Sequence, residues 1–358
     1  MDIRPGVGLR GRGAVSNTAG RFETSSTSVF DDGWGSADQP PPPLRTIIQP
    51  ELTRRILSSN SSPDLPFSRS INPYKGCEHG CIYCFARPTH AFLGLSPGLD
   101  FESRIFSKPQ AASLLRRELS SRSYRPEVIV LGANTDPYQP AEDRLGISRQ
   151  ILEVLDELGH PISIITKSAR ILQDRDILRR MAERGLVHVH LSVTSLDSEL
   201  ARRMEPRASS PNQRLAAIAG LSAEGIPVSV LSSPMIPALN DSELEAILEA
   251  SAEAGARSAG YILLRLPREV AGLFSDWLEH HYPDRKNHIL GLLRSTRSGA
   301  LYRAEFGHRM AGTGPYAKLL RRRFAVATRR LGLATSPPSL NFEQFTPNSS
   351  RRKQLSLF

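Results

Sequence analysis

Short runs of β-branched and apolar residues alternate with segments of helical apolar spacing through the middle of this 358-residue chain, and no other feature restricts its fold as much. Strands are predicted at 68–72, 127–131, 162–166, 187–193, 228–231 and 261–266, with helices at 111–121, 147–158, 171–184, 213–223 and 242–254. Asp241 and Ser242 offer capping groups to the last of these helices, and Gly159, Gly185, Gly225 and Gly255 stand just past helix ends. Alternation of this kind implies an α/β fold with a parallel sheet. Six units either close most of a barrel or form an open doubly wound sheet, and periodicity does not choose between them. In both, the chemistry belongs at the C-terminal ends of the strands.

The flanks read differently. Residues 1–45 are rich in Gly, Ser, Arg and Pro, their five Arg are balanced by five Asp or Glu, and the segment finishes in a proline run from Pro40 to Pro43. Such a segment buries too little apolar surface to offset its chain entropy and is expected to be disordered. The core is expected over 46–267. A basic helical extension should follow over 268–334, with helices near 268–298 and 315–331, then a flexible tail over 335–358. No run approaches the roughly 18 to 20 apolar residues a membrane span requires. No apolar stretch follows Arg4, Arg10 and Arg12 as a secretory signal would need. A cytoplasmic protein without a membrane partner is expected.

The chain has only three cysteines, Cys77, Cys81 and Cys84. An odd, sparse set is no disulfide framework, and thiols this close together point to a metal. On one short loop they can hold three corners of a cubane iron–sulfur cluster, leaving the fourth iron open. The alternative is a zinc site completed by His79. Zinc ligands, however, usually come as pairs separated in sequence, and no distant pair exists here.

The pattern Cys77-x3-Cys81-x2-Cys84, with Tyr83 before the third cysteine and a first strand just upstream, resembles the radical S-adenosylmethionine superfamily. The resemblance implies a partial (β/α)6 TIM-type barrel with a helical C-terminal extension. It implies a [4Fe–4S] cluster on Cys77, Cys81 and Cys84, whose open iron is chelated by S-adenosylmethionine. An external one-electron reductant would then drive cleavage to methionine and a 5′-deoxyadenosyl radical. Tyr83 would lie near the adenine.

Most members carry a Gly-Gly-Glu-like stretch after the second strand. This chain instead reads Gly132-Ala-Asn-Thr135-Asp136-Pro-Tyr138-Gln-Pro140, which is similar to the spore photoproduct lyase group. On that resemblance Thr135 and Asp136 are expected to hold the methionyl ammonium, although Asn-Thr-Asp-Pro is also a good turn. Lys167 would pair with the methionyl carboxylate, and Ser192 and Thr194 would bond the carboxylate or ribose. Glu142, Arg144, Asn240 and Asp241 are candidates for lining the barrel mouth. His188 and His190 read as packed core residues, and Gly312-Thr-Gly314 as a turn before a helix. The lyase group uses a further cysteine as hydrogen-atom donor. None remains here, so Tyr74, Tyr138 and Tyr261 are the candidate donors, and repair of spore photoproduct itself is not expected.

The formal charge of +10 is concentrated at one end: residues 300–358 hold eleven Lys or Arg and two acidic residues. In the helix expected from Pro315, Lys318, Arg322 and Arg329 fall on one face, and Leu320, Phe324, Ala327 and Leu331 on the other. A docked helix with a cationic ridge suits phosphate contact through counterion release; a solvated surface face is the plainer reading. The chain ends in Gln354, Leu355, Ser356, Leu357 and Phe358, which resembles the peptide by which bacterial repair and replication proteins bind the sliding clamp. The expected function is a radical enzyme acting on damaged or modified DNA and recruited by that clamp. Radical modification of a tRNA base, or a zinc-stabilised nucleic-acid or clamp adaptor, are the alternatives.

Overall fold

The computed structural model describes residues 9–23 and 43–347. Its strands are β1 (Ile47–Pro50), β2 (Leu57–Ser59), β3 (Arg69–Ile71), β4 (Tyr74–Lys75), β5 (Arg104–Ser107), β6 (Ile129–Leu131), β7 (Ile162–Thr166), β8 (Val187–Ser192), β9 (Val228–Met235) and β10 (Ser258–Leu263). The main sheet runs β10-β9-β8-β7-β6-β3-β2. Its six strands from β3 to β10 are parallel and in sequence order, while β2 adds antiparallel to β3. Each parallel step crosses over through a helical segment, as parallel pairing requires. No ladder joins β10 to β2 among the described residues, so the sheet forms a partial barrel with one open seam.

Apolar side chains of the parallel strands and surrounding helices form the principal core, from Ile71 and Leu131 through Val189 and Leu191 to Val230 and Leu263. A second core, built on Trp277, Phe274 and Leu293, lies under the cysteine loop and takes in Cys81 and Tyr83. Helices Glu269–His281 and Pro283–Ser295 supply it. The extension is therefore a packed support for the site. A smaller sheet, β1-β5-β4, carries the cysteine loop at the end of β4.

Helix Ile147–Leu158 and strand Ile162–Thr166 coincide with their predicted bounds. The helix expected at 171–184 opens instead with a 3-10 segment, Ala169–Asp174, and becomes α-helical at Arg175–Glu183. Strand β10 begins three residues earlier than predicted, because its small residues pair with the tail: Ala259 donates its N–H to the carbonyl of Ala334 at 2.8 Å. His188 and His190 are inward-facing, as their alternation with Ser192 requires. His188 Nε2 lies 3.0 Å from Ser229 Oγ and its Nδ1 3.1 Å from His190 Nε2.

Two expectations of disorder are corrected where the structure describes them. Residues 9–23 are packed, with Ala14 and Val15 fully buried. Residues 335–347 run back across the ends of the helices opposite the site. Asn341 N–H reaches the carbonyl of Gly185 at 2.8 Å, and Thr346 N–H that of Leu158 at 2.9 Å. Phe345 stacks edge-on to His160 and Tyr124. Composition missed both segments because each borrows its apolar partners from the core. The clamp-like peptide, Gln354 to Phe358, lies outside the described residues.

Candidate active site

The cysteine loop is shaped by two glycines. Gly76 has φ +79°, and a Cβ there would meet the Phe101 carbonyl and Ile105 Cδ1, each at 2.9 Å. Gly80 has φ +69°, and its Cβ would come 2.7 Å from Glu102 Oε2. Inside the loop the Cys77 N–H donates to Phe101 O at 2.9 Å, and the Cys84 N–H to Cys81 O at 3.1 Å. Arg87, fully buried, spends its guanidinium on this backbone. Nε reaches Cys81 O at 2.9 Å, Nη2 reaches Gly80 O at 3.0 Å, and Nη1 reaches the carbonyls of Pro97 and Gly98. Its charge is met by buried Glu102 at 2.5 Å. The loop is held from behind, and its thiols face the barrel.

Cys77, Cys81 and Cys84 share one wall of a cavity of about 590 Å³ at the C-terminal ends of the strands, within the range of small-molecule sites. Burial pushes all three thiols up, reinforced by Asp136 for Cys77 and by Glu205 for Cys81. Any metal they bind must therefore displace their protons. No group of three His, Cys, Asp or Glu side chains among the described residues converges on a single metal ion. His79, the fourth donor of the zinc alternative, has its Nδ1 3.4 Å from Asp136, while three thiolates on one loop can each take a separate iron of a cluster. Two buried polar atoms on the cavity wall, His79 Nε2 and Ser233 Oγ, have no partner among the described residues. The donor set and these orphaned atoms fit a cluster with a polar ligand beside it.

Of the residues expected around S-adenosylmethionine, Tyr83, Asp136, Lys167 and Ser192 line the cavity. Asp136 accepts from Thr166 Oγ1 at 2.7 Å, from the Lys167 N–H at 2.7 Å and from the Tyr138 N–H at 2.9 Å, with His79 Nδ1 at 3.4 Å. Burial opposes its charge, but His79 and these donors outweigh burial and hold the carboxyl below the ordinary range. Lys167 Nζ lies 5.8 Å above the Tyr83 ring and 3.8 Å from Glu205.

Thr135 and Thr194 do not reach the cavity. The Thr135 hydroxyl donates to Tyr74 O at 2.7 Å, and Thr194 Oγ1 donates to Glu205 Oε1 at 2.9 Å. The first hydroxyl is consumed by the backbone of Tyr74 and the second by a buried carboxylate. Glu142, Arg144, Asn240 and Asp241 are also absent from the cavity wall. Glu142 accepts from the Tyr74 hydroxyl and from the Ser148 N–H. Arg144 is on the outer surface. Asn240 ties the loop after β9, donating to Thr194 O at 2.6 Å, and Asp241 accepts from Tyr316. The candidate hydrogen donors fail for the same reason. Tyr74 is bonded to Glu142, Tyr138 donates to Asp174 at 3.0 Å, and Tyr261 packs against Phe324, all away from the cavity.

Sequence reasoning missed three groups that build the site. Glu205 and Arg214, both buried, are paired beneath Tyr83, and Glu205 also accepts from the Tyr83 hydroxyl. Arg265, Tyr302 and Arg309 also line the cavity. Asp64 and Arg309 meet at 2.7 Å across the open seam, joining the β2–β3 hairpin to the 299–312 loop. None sits in a motif, and only the partial barrel brings them together. On the C-terminal helix Gly314–Leu331, Lys318, Arg322 and Arg329 are exposed, with Leu320, Phe324 and Ala327 buried beneath. The expected two-faced character holds. Arg323 on its flank is taken up by Glu245 at 2.5 Å.

Comparison with known proteins agrees with this geometry. Residues 71–250 match the model of the radical SAM superfamily. An uncharacterised protein of Mycobacterium tuberculosis is 39% identical over 222 residues, 62% of this chain and 65% of its own length. An uncharacterised protein of Methanocaldococcus jannaschii is 27% identical over 215 residues, 60% of this chain and 76% of that one. Among solved structures, spore photoproduct lyase complexed with a dinucleoside spore photoproduct superposes with a TM-score of 0.59 at 17% identity, covering 80% of this chain and 81% of that one. No helix among the described residues is long and apolar enough to cross a membrane. With half of its length matched by the family model and its three cysteines on one cavity wall, the chain belongs to the radical SAM superfamily.

Proposed function

We propose that this chain is a radical S-adenosylmethionine enzyme that acts on a base in nucleic acid, DNA in preference to RNA, and is recruited by the bacterial sliding clamp. The observation that carries the reading is that Cys77, Cys81 and Cys84 line one cavity together with Arg265, Tyr302 and Arg309. Cys77, Cys81 and Cys84 are the residues to hold a [4Fe–4S] cluster. When bound, the cluster and S-adenosylmethionine supply a carbon-centred radical capable of hydrogen abstraction, with the electron coming from an external reductant.

The chain's own residues orient the reactants. Tyr83, fixed by Glu205, offers a ring face for the adenine; Lys167 and the Ser192 hydroxyl face the methionyl carboxylate. Asp136, whose oxygens already accept several donors, would meet the methionyl ammonium together with the Ser233 Oγ, which has no partner among the described residues. The Asp64–Arg309 latch and the hairpin beside it exclude water at the seam, where the radical would otherwise be quenched. Nucleic acid is favoured by the fold likeness to spore photoproduct lyase and by the exposed Lys318, Arg322 and Arg329 ridge. Gln354, Leu355, Ser356, Leu357 and Phe358 supply the clamp-binding peptide.

Anaerobic reconstitution should yield about four irons per chain, and dithionite should drive S-adenosylmethionine cleavage that DNA accelerates more than RNA of the same sequence. A reconstituted protein that holds iron yet never cleaves S-adenosylmethionine refutes the enzyme. Deleting residues 354–358 should abolish clamp binding, and unchanged binding refutes the recruitment.

A further inference from the structure

The cavity wall carries a guanidinium, that of Arg265, with no salt bridge or side-chain hydrogen bond among the described residues; Tyr302, Cys84 and Asp64 favour its charge only from a distance. Arg265, two residues past the end of β10, lines the cavity and is half-buried. Its guanidinium lies 4.6 Å from the centroid of the Phe85 ring and has no hydrogen-bond or carboxylate partner among the described residues. Its neighbour Arg309 is neutralised by Asp64. Asp136, the carboxylate that lines the cavity, has its oxygens taken by Thr166, Lys167, Tyr138 and His79. Burial opposes the Arg265 charge, so a guanidinium held here favours an anion entering the cavity.

The position is also built. Arg297, fully buried, donates from Nη1 to the carbonyls of His308 and Arg309 at 3.0 and 2.8 Å. From Nη2 it donates to those of Leu263 and Leu264 at 3.2 and 2.9 Å. The Leu263 N–H closes the staple on Met310 O at 3.0 Å. One buried arginine thus fixes the end of β10 against the 299–312 loop, which sets Arg265 beside Tyr302 on a rigid rim. Phe67, on the β2–β3 hairpin, also lines the cavity and offers an aromatic surface.

Resting on the nucleic-acid reading above, we propose that Arg265 is an oxyanion site that takes a phosphodiester of the substrate strand at the cavity mouth, fixing which nucleotide's base reaches the thiol wall. The chemistry is shared by one other source, the methionyl carboxylate of S-adenosylmethionine. The phosphodiester is favoured because Lys167, over Tyr83 in the cysteine loop, already supplies a second cation on the cavity wall. Arg265 shares its rim with Tyr302 and Arg309, on the side where the seam is latched.

The test uses the full-length, anaerobically reconstituted protein and a tetranucleotide too short to reach the C-terminal ridge as well. Its affinity is measured with natural phosphodiesters and with neutral methylphosphonates. The neutral analogue should bind the wild type about tenfold more weakly, the size expected for losing a charge-assisted hydrogen bond. Arg265→Gln should bring the natural tetranucleotide down to that level, bind the analogue no worse than the wild type does, and recover in part in Arg265→Lys. The methylphosphonate arm needs no mutant, so it stands even if a variant misfolds. If a 20-mer binds but the two tetranucleotides are indistinguishable on the wild type, the proposal falls and the nucleic-acid reading stands. If no oligonucleotide of either length binds, both fall. Loss of S-adenosylmethionine binding in Arg265→Gln with tetranucleotide binding intact assigns the oxyanion to the methionyl carboxylate and overturns the proposal.

Discussion

The carbonyl oxygen of Gly80, inside the cysteine loop, stands 1.8 Å from the point that a Cβ on Gly13 would occupy. The two backbones touch because the N–H groups of Gly13 and Ala14 both donate to Glu102, at 2.9 and 2.8 Å, the carboxylate that also pairs with Arg87 behind the loop. Arg12 adds hydrogen bonds to the carbonyls of Glu102 and Leu44, each at 2.6 Å. The N-terminal segment is thus the back wall of the cysteine loop.

Gly13→Ala should therefore displace the loop rather than the strap alone. The overlap is with backbone, which cannot rotate away, so a cost of about 1–3 kcal/mol is expected. Iron content after reconstitution and the rate of cluster bleaching in air report it. Iron retention and bleaching equal to wild type would sink the idea that this segment supports the loop.

Glu205 joins Tyr83, Thr194 and Arg214 in one buried knot under the cavity floor. Glu205→Gln leaves the Arg214 guanidinium buried without its counter-charge, and a loss of about 3–5 kcal/mol in unfolding free energy is expected. Tyr83→Phe removes one neutral donor and should cost only about 1 kcal/mol, while loosening the ring that faces the cavity. Denaturant titrations of both variants decide this, and equal losses would contradict the assigned hierarchy.

Acid should destabilise this fold through its buried histidines. His160 is fully buried; its Nε2 accepts from the Tyr124 hydroxyl at 2.7 Å and its Nδ1–H donates to Pro161 O at 2.9 Å. Burial pushes its pKa down to about 4, and those of His188 and His190 to about 4 and about 3. A depressed folded-state pKa means that the stabilisation is full above the ordinary value near 6.5 and is lost as pH falls from there toward 4. The slope is at most about 1.4 kcal/mol per pH unit for each group. Unfolding at pH 7.5 and 5.5 should show His160→Gln losing about 1 kcal/mol less than wild type over that interval. Parallel losses would show that His160 is protonated in the native state.

Tyr138→Phe and Tyr261→Phe should leave nucleic-acid-stimulated cleavage of S-adenosylmethionine within about twofold of wild type, since neither side chain meets the cavity. Tyr74→Phe should lower stability by about 1–2 kcal/mol by depriving buried Glu142 of its donor. A collapse of product formation in Tyr138→Phe, with the fold intact by circular dichroism, would restore that residue as a hydrogen-atom donor.

Much of the framework was legible in the chain. Strand Ile162–Thr166 and helix Ile147–Leu158 are local patterns, decided by which side chains recur at intervals of two or of three and four residues. The cysteine triplet was legible because its spacing is a loop of eight residues and needs no tertiary information. Tyr83 followed from its place in the cysteine motif, and Asp136, Lys167 and Ser192 from the family resemblance and their places after strands, where a parallel sheet gathers its side chains.

Direction and pairing were not legible. Thr135 and Thr194 share those strand ends, yet their hydroxyls turn into the backbone of Tyr74 and onto Glu205, because a buried hydroxyl takes the nearest acceptor. Tyr74 and Tyr138 lie in the right segments and point at Glu142 and Asp174. Arg265, Arg309 and Asp64 carry no motif, and they matter only because a partial barrel leaves a seam that must be closed. Residues 9–23 look disordered by composition, since Gly, Ser and Arg bury little by themselves; Glu102, some ninety residues away, gives their N–H groups a partner. The sequence alone determined the periodic scaffold and the metal-binding loop, which depend on neighbours in the chain. The tertiary structure decided the second half of the site, because charge pairing, seam closure and hydrogen-bond choice depend on neighbours in space.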